Sequence, residues 1–277
     1  MIRHSVVVMG KRTAYWERNP GNLCPIVILH GFRGTHNGLV DLARHLDGYR
    51  LILPDLPGYG ESEPLDSKHT LTNYAAWLDE FVATVGLADF VVWGHSCGGS
   101  TALIHGAVGS HKAAAIIGVS PAAVRRGPSA WIATSYYQLG CLMPERLRKR
   151  WLTSRVIDHA IARLLFQTVS DARRKALVRR GDIDLATFDP RVITEQYMSS
   201  RDTDLVVYAS AIKIPVLIIA GARDIVVPIA RVRDLMDMIP HGRLEIMPDQ
   251  GHLAPIERPA ATATIIRQFM STLPLHQ

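Results

Sequence analysis

Five short apolar runs limit what this chain can fold into more than any other feature: IVILH (26–30), RLILP (50–54), FVVWG (90–94), AIIGVS (115–120) and VLIIA (216–220). Each is too short for an ordinary helix and is apolar at consecutive rather than alternate positions. A strand of that kind must be covered on both faces, the condition of a parallel sheet between two helical layers. The stretches between the runs supply helices. Leu71, Tyr74, Ala75, Leu78, Phe81, Val82 and Val85 hold one stripe at helical period, with Thr70 as N-cap and Gly86 just past the end. Ile229, Val232, Leu235, Met236 and Ile239 hold a second, and a third begins at Pro259 and turns Ile266, Phe269 and Met270 inward. VVVM (6–9) and RTAYWE (12–17) read as an N-terminal hairpin turning at Gly10-Lys11, and RLEIM (243–247) alternates as a more exposed strand would.

The alternation of strand and helix stops at Pro121 and resumes at Ile214-Pro215-Val216. Between them the pattern is helical throughout, over 129–140, 144–153, 155–168, 171–180, 190–199 and 203–211. The expected organisation is therefore a core from 1–120, an inserted helical lid from 121–211, and the rest of the core from 212–277. The segment 121–211 contains 15 Lys and Arg against 9 Asp and Glu, while the remainder has 16 of each. The whole formal charge of +6 thus lies in the insertion.

Composition excludes several classes. No run approaches the roughly 20 apolar residues that a spanning helix needs. The apolar run Val6 to Met9 is too short for a signal-peptide core, so a cytoplasmic protein is the expectation. Cys24, Cys97 and Cys141 are odd in number and lack metal-ligand spacing, and the 12 histidines include no HxxxH pair. Neither a disulfide framework nor a metal site is indicated. Nucleic acid is not expected as a partner, because the basic residues lie in no recognised binding motif.

VVWGHSCGGST (91–101) leaves an apolar run and enters a helix-like segment through a glycine-flanked serine. As a phosphate loop it fails at its most informative position, since Ser100 stands where the phosphate-binding lysine is required. A dinucleotide loop at Gly58-Tyr59-Gly60 fails too, with Glu63 at the third glycine position. Gly94-His95-Ser96-Cys97-Gly98 instead fits G-x-S-x-G, a sharp strand-to-helix turn that raises a serine hydroxyl above the sheet. Gly94 and Gly98 remove side chains where strand and helix approach each other.

A serine nucleophile needs a base and an acid that orients the base. Asp224 follows the run 216–220 and His252 follows the strand 243–247, so parallel strands would deliver both to the edge carrying Ser96. Asp249 is the competing acid, but it lies on the histidine's own turn and is expected to stabilise that turn. For an oxyanion, backbone N–H groups are available at Phe32, after the run IVILH, and at Cys97, near a helix N-terminus.

HGF at 30–32, DLPGYGES at 55–62, GHSCGG at 94–99, GARDIVVP at 221–228 and DQGHLAPIERP at 249–259 together resemble the lid-bearing α/β-hydrolases. The resemblance implies an α/β-hydrolase fold, a mostly parallel sheet flanked by helices with an all-helical lid. It implies a triad of Ser96, Asp224 and His252, with the amides of Phe32 and Cys97 as oxyanion donors. It also implies that Asp55 to Gly60 is a structural turn. Serine at 96 counts against haloalkane dehalogenases and epoxide hydrolases, which are similar but place an aspartate there.

The expected function is hydrolysis of small or medium acyl esters through an acyl-enzyme, with no cofactor. The same residues would serve a carbon–carbon bond or peptide hydrolase, and a ligand-binding protein without turnover is a third reading. The basic residues of the insertion, Arg146, Arg148, Lys149, Arg150, Arg173, Arg174, Lys175, Arg179 and Arg180, are either a solvated face or the contact for an anionic substrate or acidic carrier protein. Their layout resembles the pimeloyl-carrier-protein methyl esterases. Trp131, Tyr136, Tyr137, Trp151 and Phe166 either pack the lid or line an acyl pocket.

Overall fold

The computed structural model describes residues 1–21, 25–121, 128–185 and 187–274. Cys24 and the stretch 122–127 of the expected lid lie outside the described residues, as does the side chain of Arg180.

An eight-stranded sheet forms the centre: β1 (Ile2–Val8), β2 (Lys11–Arg18), β3 (Pro25–Leu29), β4 (Arg50–Pro54), β5 (Val91–His95), β6 (Ala115–Val119), β7 (Val216–Gly221) and β8 (Gly242–Met247). Their order is β1-β2-β4-β3-β5-β6-β7-β8. The pairs β1/β2 and β2/β4 are antiparallel and all others parallel. The first hairpin turns at Met9 and Gly10 rather than at Gly10 and Lys11, with φ of 51° and 74°. Two consecutive left-handed residues suit the twist of a tight hairpin, and this places Lys11 in the strand.

Helices cover both faces. The core helices are α1 (Val40–Ala43), α2 (Leu71–Val85) and α3 (Cys97–Val108). Between β6 and β7 come α4 (Pro128–Cys141), α5 (Glu145–Leu152), α6 (Arg155–Leu165), α7 (Asp171–Leu185), α8 (Pro190–Asp202) and α9 (Val206–Ala209). The chain closes with α10 (Ile229–Met236), α11 (Ala254–Glu257) and α12 (Pro259–Met270).

The consecutive apolar positions explain this layering. Val27 and Leu29 of β3 pack in the cluster with α2 and α3, while Ile26 and Ile28 pack in the cluster with α1 and α12. One strand therefore feeds two cores. Helix α2 is capped as its sequence requires: the Thr70 hydroxyl accepts from the Asn73 N–H at 3.1 Å, and Gly86 ends it with φ 70°. Trp77 and Phe81 of α2 are fully buried and stacked, with ring centroids 5.2 Å apart. Truncating Phe81 to alanine would destabilise the fold by about 3–5 kcal/mol.

Because β3, β5, β6, β7 and β8 run parallel, their C-terminal ends share one edge. Gly31 follows β3, Ser96 follows β5, Asp224 follows β7 and His252 follows β8. No helix among the described residues is long and apolar enough to cross a membrane.

Candidate active site

Ser96 sits between the end of β5 and the start of α3 with φ 52° and ψ −117°. A non-glycine residue there is strained, on the order of 1–3 kcal/mol, and the surroundings hold it. Its N–H donates to Val119 of β6 at 2.8 Å, and its carbonyl accepts from the N–H and hydroxyl of Ser100 at 3.0 and 3.2 Å. Gly94 and Gly98 are required by contact rather than by φ. A Cβ on Gly94 would strike the main chain of Gly98, and one on Gly98 would stand 2.5 Å from the His30 carbonyl oxygen.

Three side chains remote in sequence meet at this turn. The Ser96 hydroxyl donates to His252 Nε2 at 3.0 Å, and His252 Nδ1 donates to Asp224 Oδ2 at 2.8 Å. The other oxygen, Asp224 Oδ1, accepts from the amides of Val226 and Val227, each at 2.8 Å. Burial alone would raise the Asp224 carboxyl; the charge and hydrogen bond of the His252 ring, with the two amides, outweigh it and hold its pKa below the ordinary range. Ser96, Asp224 and His252 are all buried, at 3, 8 and 5% exposure.

Asp249 does not join them. Its carboxylate is 75% exposed and pairs with Arg223 at 3.1 Å.

Phe32 and Cys97 flank the serine. Cys97 is the first residue of α3, and Phe32 follows Gly31, where an added Cβ would lie 3.2 Å from the Ser96 Cβ. The Phe32 ring packs on Tyr137 and Tyr197, with centroids 5.6 and 6.1 Å away. The loop beneath is set by His30, whose Nδ1 donates to the Gly31 carbonyl while Nε2 accepts from the Leu56 amide, both at 2.9 Å.

Asp55 is structural. Its Oδ1 accepts from the amide and Nδ1 of His36, both at 2.9 Å, and its Oδ2 from the Glu61 amide at 3.0 Å. Burial pushes this carboxyl up, and the His36 hydrogen bond with the His30 and His36 charges more than reverses it. Among the described residues no three His, Cys, Asp or Glu side chains are grouped as a metal set.

Residues 25–259 match the family model for the alpha/beta hydrolase fold. The chain belongs to the α/β-hydrolases. This α/β-hydrolase is 25% identical over 288 residues to lipase 1 of Psychrobacter immobilis, covering 98% of the chain and 84% of the relative. It is 28% identical over 258 residues to the pimeloyl-[acyl-carrier protein] methyl ester esterase of Aromatoleum aromaticum, covering 88% of the chain and 97% of the relative. In fold it is similar to a thermophilic esterase from Thermogutta terrifontis, with a TM-score of 0.82 and 21% identity over 98% of this chain and 99% of the other.

The α/β-hydrolase also contains contacts that its sequence did not disclose. Glu257 of α11 is buried, and its Oε2 accepts from the Gln167 amide at 3.0 Å, the Thr168 amide at 2.5 Å and the Thr168 hydroxyl at 2.8 Å. Gln167 also donates from Nε2 to the Arg223 carbonyl at 3.2 Å. The connection between α6 and α7 is thereby fastened to the loops bearing His252 and Asp224. Toward the other end of α6, Asp158 pairs with the nearly buried Arg33 at 3.0 Å, one residue after Phe32. Helix α6 is thus tied near both ends to loops around Ser96. No spacing rule marks such pairs, because they join segments far apart in the chain.

Two expectations for the insertion need correction. Trp131 is 72% exposed, so it neither packs among these helices nor lines an enclosed pocket. Arg148 is not part of a free basic face: its Nη2 donates to the carbonyls of Cys141 and Met143 at 3.4 and 3.3 Å, closing the end of α4.

Proposed function

We propose that this α/β-hydrolase cleaves carboxylic esters of small or medium acyl groups through an acyl-enzyme on Ser96. The observation that carries the reading is the unbroken hydrogen-bonded line from Asp224 through His252 to Ser96. The Ser96 oxygen attacks the ester carbonyl as His252 Nε2 takes its proton, and Asp224 stabilises the imidazolium. His252 then gives that proton to the leaving alcohol. The amides of Phe32 and Cys97 bind the oxyanion of each tetrahedral intermediate. A water molecule, deprotonated by His252, releases the acid and restores Ser96. The inserted helices act as a lid, and the ties of α6 to the surrounding loops support that role.

A fluorophosphonate probe tests the reading. It should label the wild-type protein and leave Ser96→Ala unlabelled. An unlabelled wild type would instead favour a binding protein without turnover. A p-nitrophenyl ester series would then rank acyl lengths.

A second reading, a carrier-protein methyl esterase, is favoured by the 28% identical relative and by the positive insertion. In it Arg146 and Arg150, exposed on α5, meet an anionic substrate or acidic carrier protein. Reversing both charges should leave turnover of a neutral ester intact and slow a carrier-bound one in a salt-dependent way. Equal effects on both substrates would reject it.

A further inference from the structure

The chain follows Phe32 with an arginine at a position that would suit glycine better. The Gly34 amide donates to the Gly31 carbonyl at 3.1 Å and closes a four-residue turn, whose third residue is Arg33 with φ 56°. That left-handed position favours glycine, so the arginine is held there against backbone strain. Its side chain is only 9% exposed. Nη2 meets Asp158 of α6 at 3.0 Å, and the guanidinium lies beside the Tyr137 hydroxyl of α4. Nε is buried and has no hydrogen-bond partner among the described residues.

A second donor of the same kind lies close by. The Tyr59 hydroxyl is within reach of the Arg33 amide and donates to Gln196 Oε1 of α8 at 2.5 Å. Gln196 is fully buried, and its Nε2 likewise has no partner among the described residues. Tyr137 stacks on Tyr197 with centroids 4.0 Å apart, which joins the surroundings of Arg33 and Gln196 beside the Phe32 ring. A buried N–H without an acceptor is costly, because it has given up water and gained nothing in return. An acceptor oxygen on a bound substrate would satisfy such donors. Asp158 already offsets the Arg33 charge and would repel a second carboxylate, so a neutral oxygen fits better.

The sheet order β3-β5-β6-β7-β8 brings this turn and His252 to Ser96 from opposite sides. In the proposed mechanism His252 protonates the leaving alcohol, so the alcohol lies toward His252 and the acyl group toward Phe32 and Arg33. We propose, resting on the esterase reading, that Arg33 together with Gln196 selects esters whose acyl chain carries a neutral oxygen acceptor, such as a ketone.

The test compares p-nitrophenyl 4-oxopentanoate with p-nitrophenyl 4-methylpentanoate, which match in size and differ in a ketone oxygen against a methyl group. The quantity read is the ratio of their kcat/KM values within one protein, which does not depend on the active fraction. Wild type should favour the ketone about tenfold or more, because the methyl analogue leaves the donors unpaired. Arg33→Met with Asp158→Asn removes the guanidinium without stranding its carboxylate and should lower the ratio about fivefold or more. Gln196→Met, made separately so that one folded variant suffices, should lower it about threefold or more. A wild-type ratio of one or below overturns the proposal and leaves the esterase reading intact, as does a ratio unchanged in whichever variant folds. Turnover of neither ester overturns it too; fluorophosphonate labelling of Ser96 then separates a wrong acyl class from failure of the esterase reading itself.

Discussion

The buried ring of His95 donates from Nε2 to the main-chain oxygen of His252 at 2.8 Å, so the residue before Ser96 holds the loop that presents the imidazole to it. Burial, with the charge of His252, pushes the His95 pKa down to about 3. In the unfolded chain the same ring titrates near 6.5. Between those values the unfolded state binds the additional proton, so stability falls as pH drops through the window and is insensitive to this group above it. The expected slope is about 1.4 kcal/mol per pH unit from His95. His69, lowered to about 4 by burial and by Arg191, acts in the same direction from about 6.5 down to its own value. Urea unfolding between pH 7 and pH 5 should show the decline, and His95→Gln should make it shallower. An unchanged slope in that variant would contradict the role.

Asp224 and Asp249 make opposite predictions for the same substitution. In the proposed mechanism Asp224→Asn removes the charge that stabilises the imidazolium, and it should lower kcat for a p-nitrophenyl ester on the order of a thousandfold or more. Asp249→Asn disturbs only an exposed pair with Arg223 and should stay within about threefold of wild type. Comparable losses in both would dissolve the assignment of the acid.

Removing the Glu257 carboxylate strands three donors, the amides of Gln167 and Thr168 and the Thr168 hydroxyl. Glu257→Ala is expected to destabilise the protein by about 2–4 kcal/mol in denaturant titrations. Glu257→Gln retains an acceptor oxygen and should lose less than half as much. If alanine proves as stable as glutamine, the buried carboxylate does not fasten this connection.

A methyl group distinguishes the two kinds of glycine. At Gly94 it would meet the main chain of Gly98, which cannot yield without moving α3 away from β5. Gly94→Ala should destabilise by more than about 4 kcal/mol and yield little folded protein. At Gly38 nothing lies within 4 Å of the added atom, and Gly38→Ala should change stability by about 1 kcal/mol or less. Thermal melts of the two variants check the contrast.

Much of the fold was legible because local patterns suffice to specify it. Consecutive apolar residues such as Ile26 to Leu29 can be satisfied only between two layers, and Thr70 with Gly86 marks the ends of α2 by local hydrogen bonding and φ. The elbow was legible for a related reason, since Gly94, Ser96 and Gly98 lie within a single turn. The first hairpin was misjudged by one residue, because nothing in the side chain of Met9 announces a left-handed backbone. Trp131 was misjudged because helical spacing shows that a face exists without showing what it faces.

By itself, then, the order of residues determined the layered sheet, the strained turn at Ser96 and the strand ends from which Asp224 and His252 depart. Only the tertiary structure decided that Asp224 rather than Asp249 meets the ring, that Glu257 grips Gln167 and Thr168, and that Asp158 of α6 reaches Arg33. The physical reason is range. Backbone geometry and hydrophobic period act over a few residues and leave a periodic trace, whereas hydrogen bonds and charges joining distant segments depend on where folding brings their ends together.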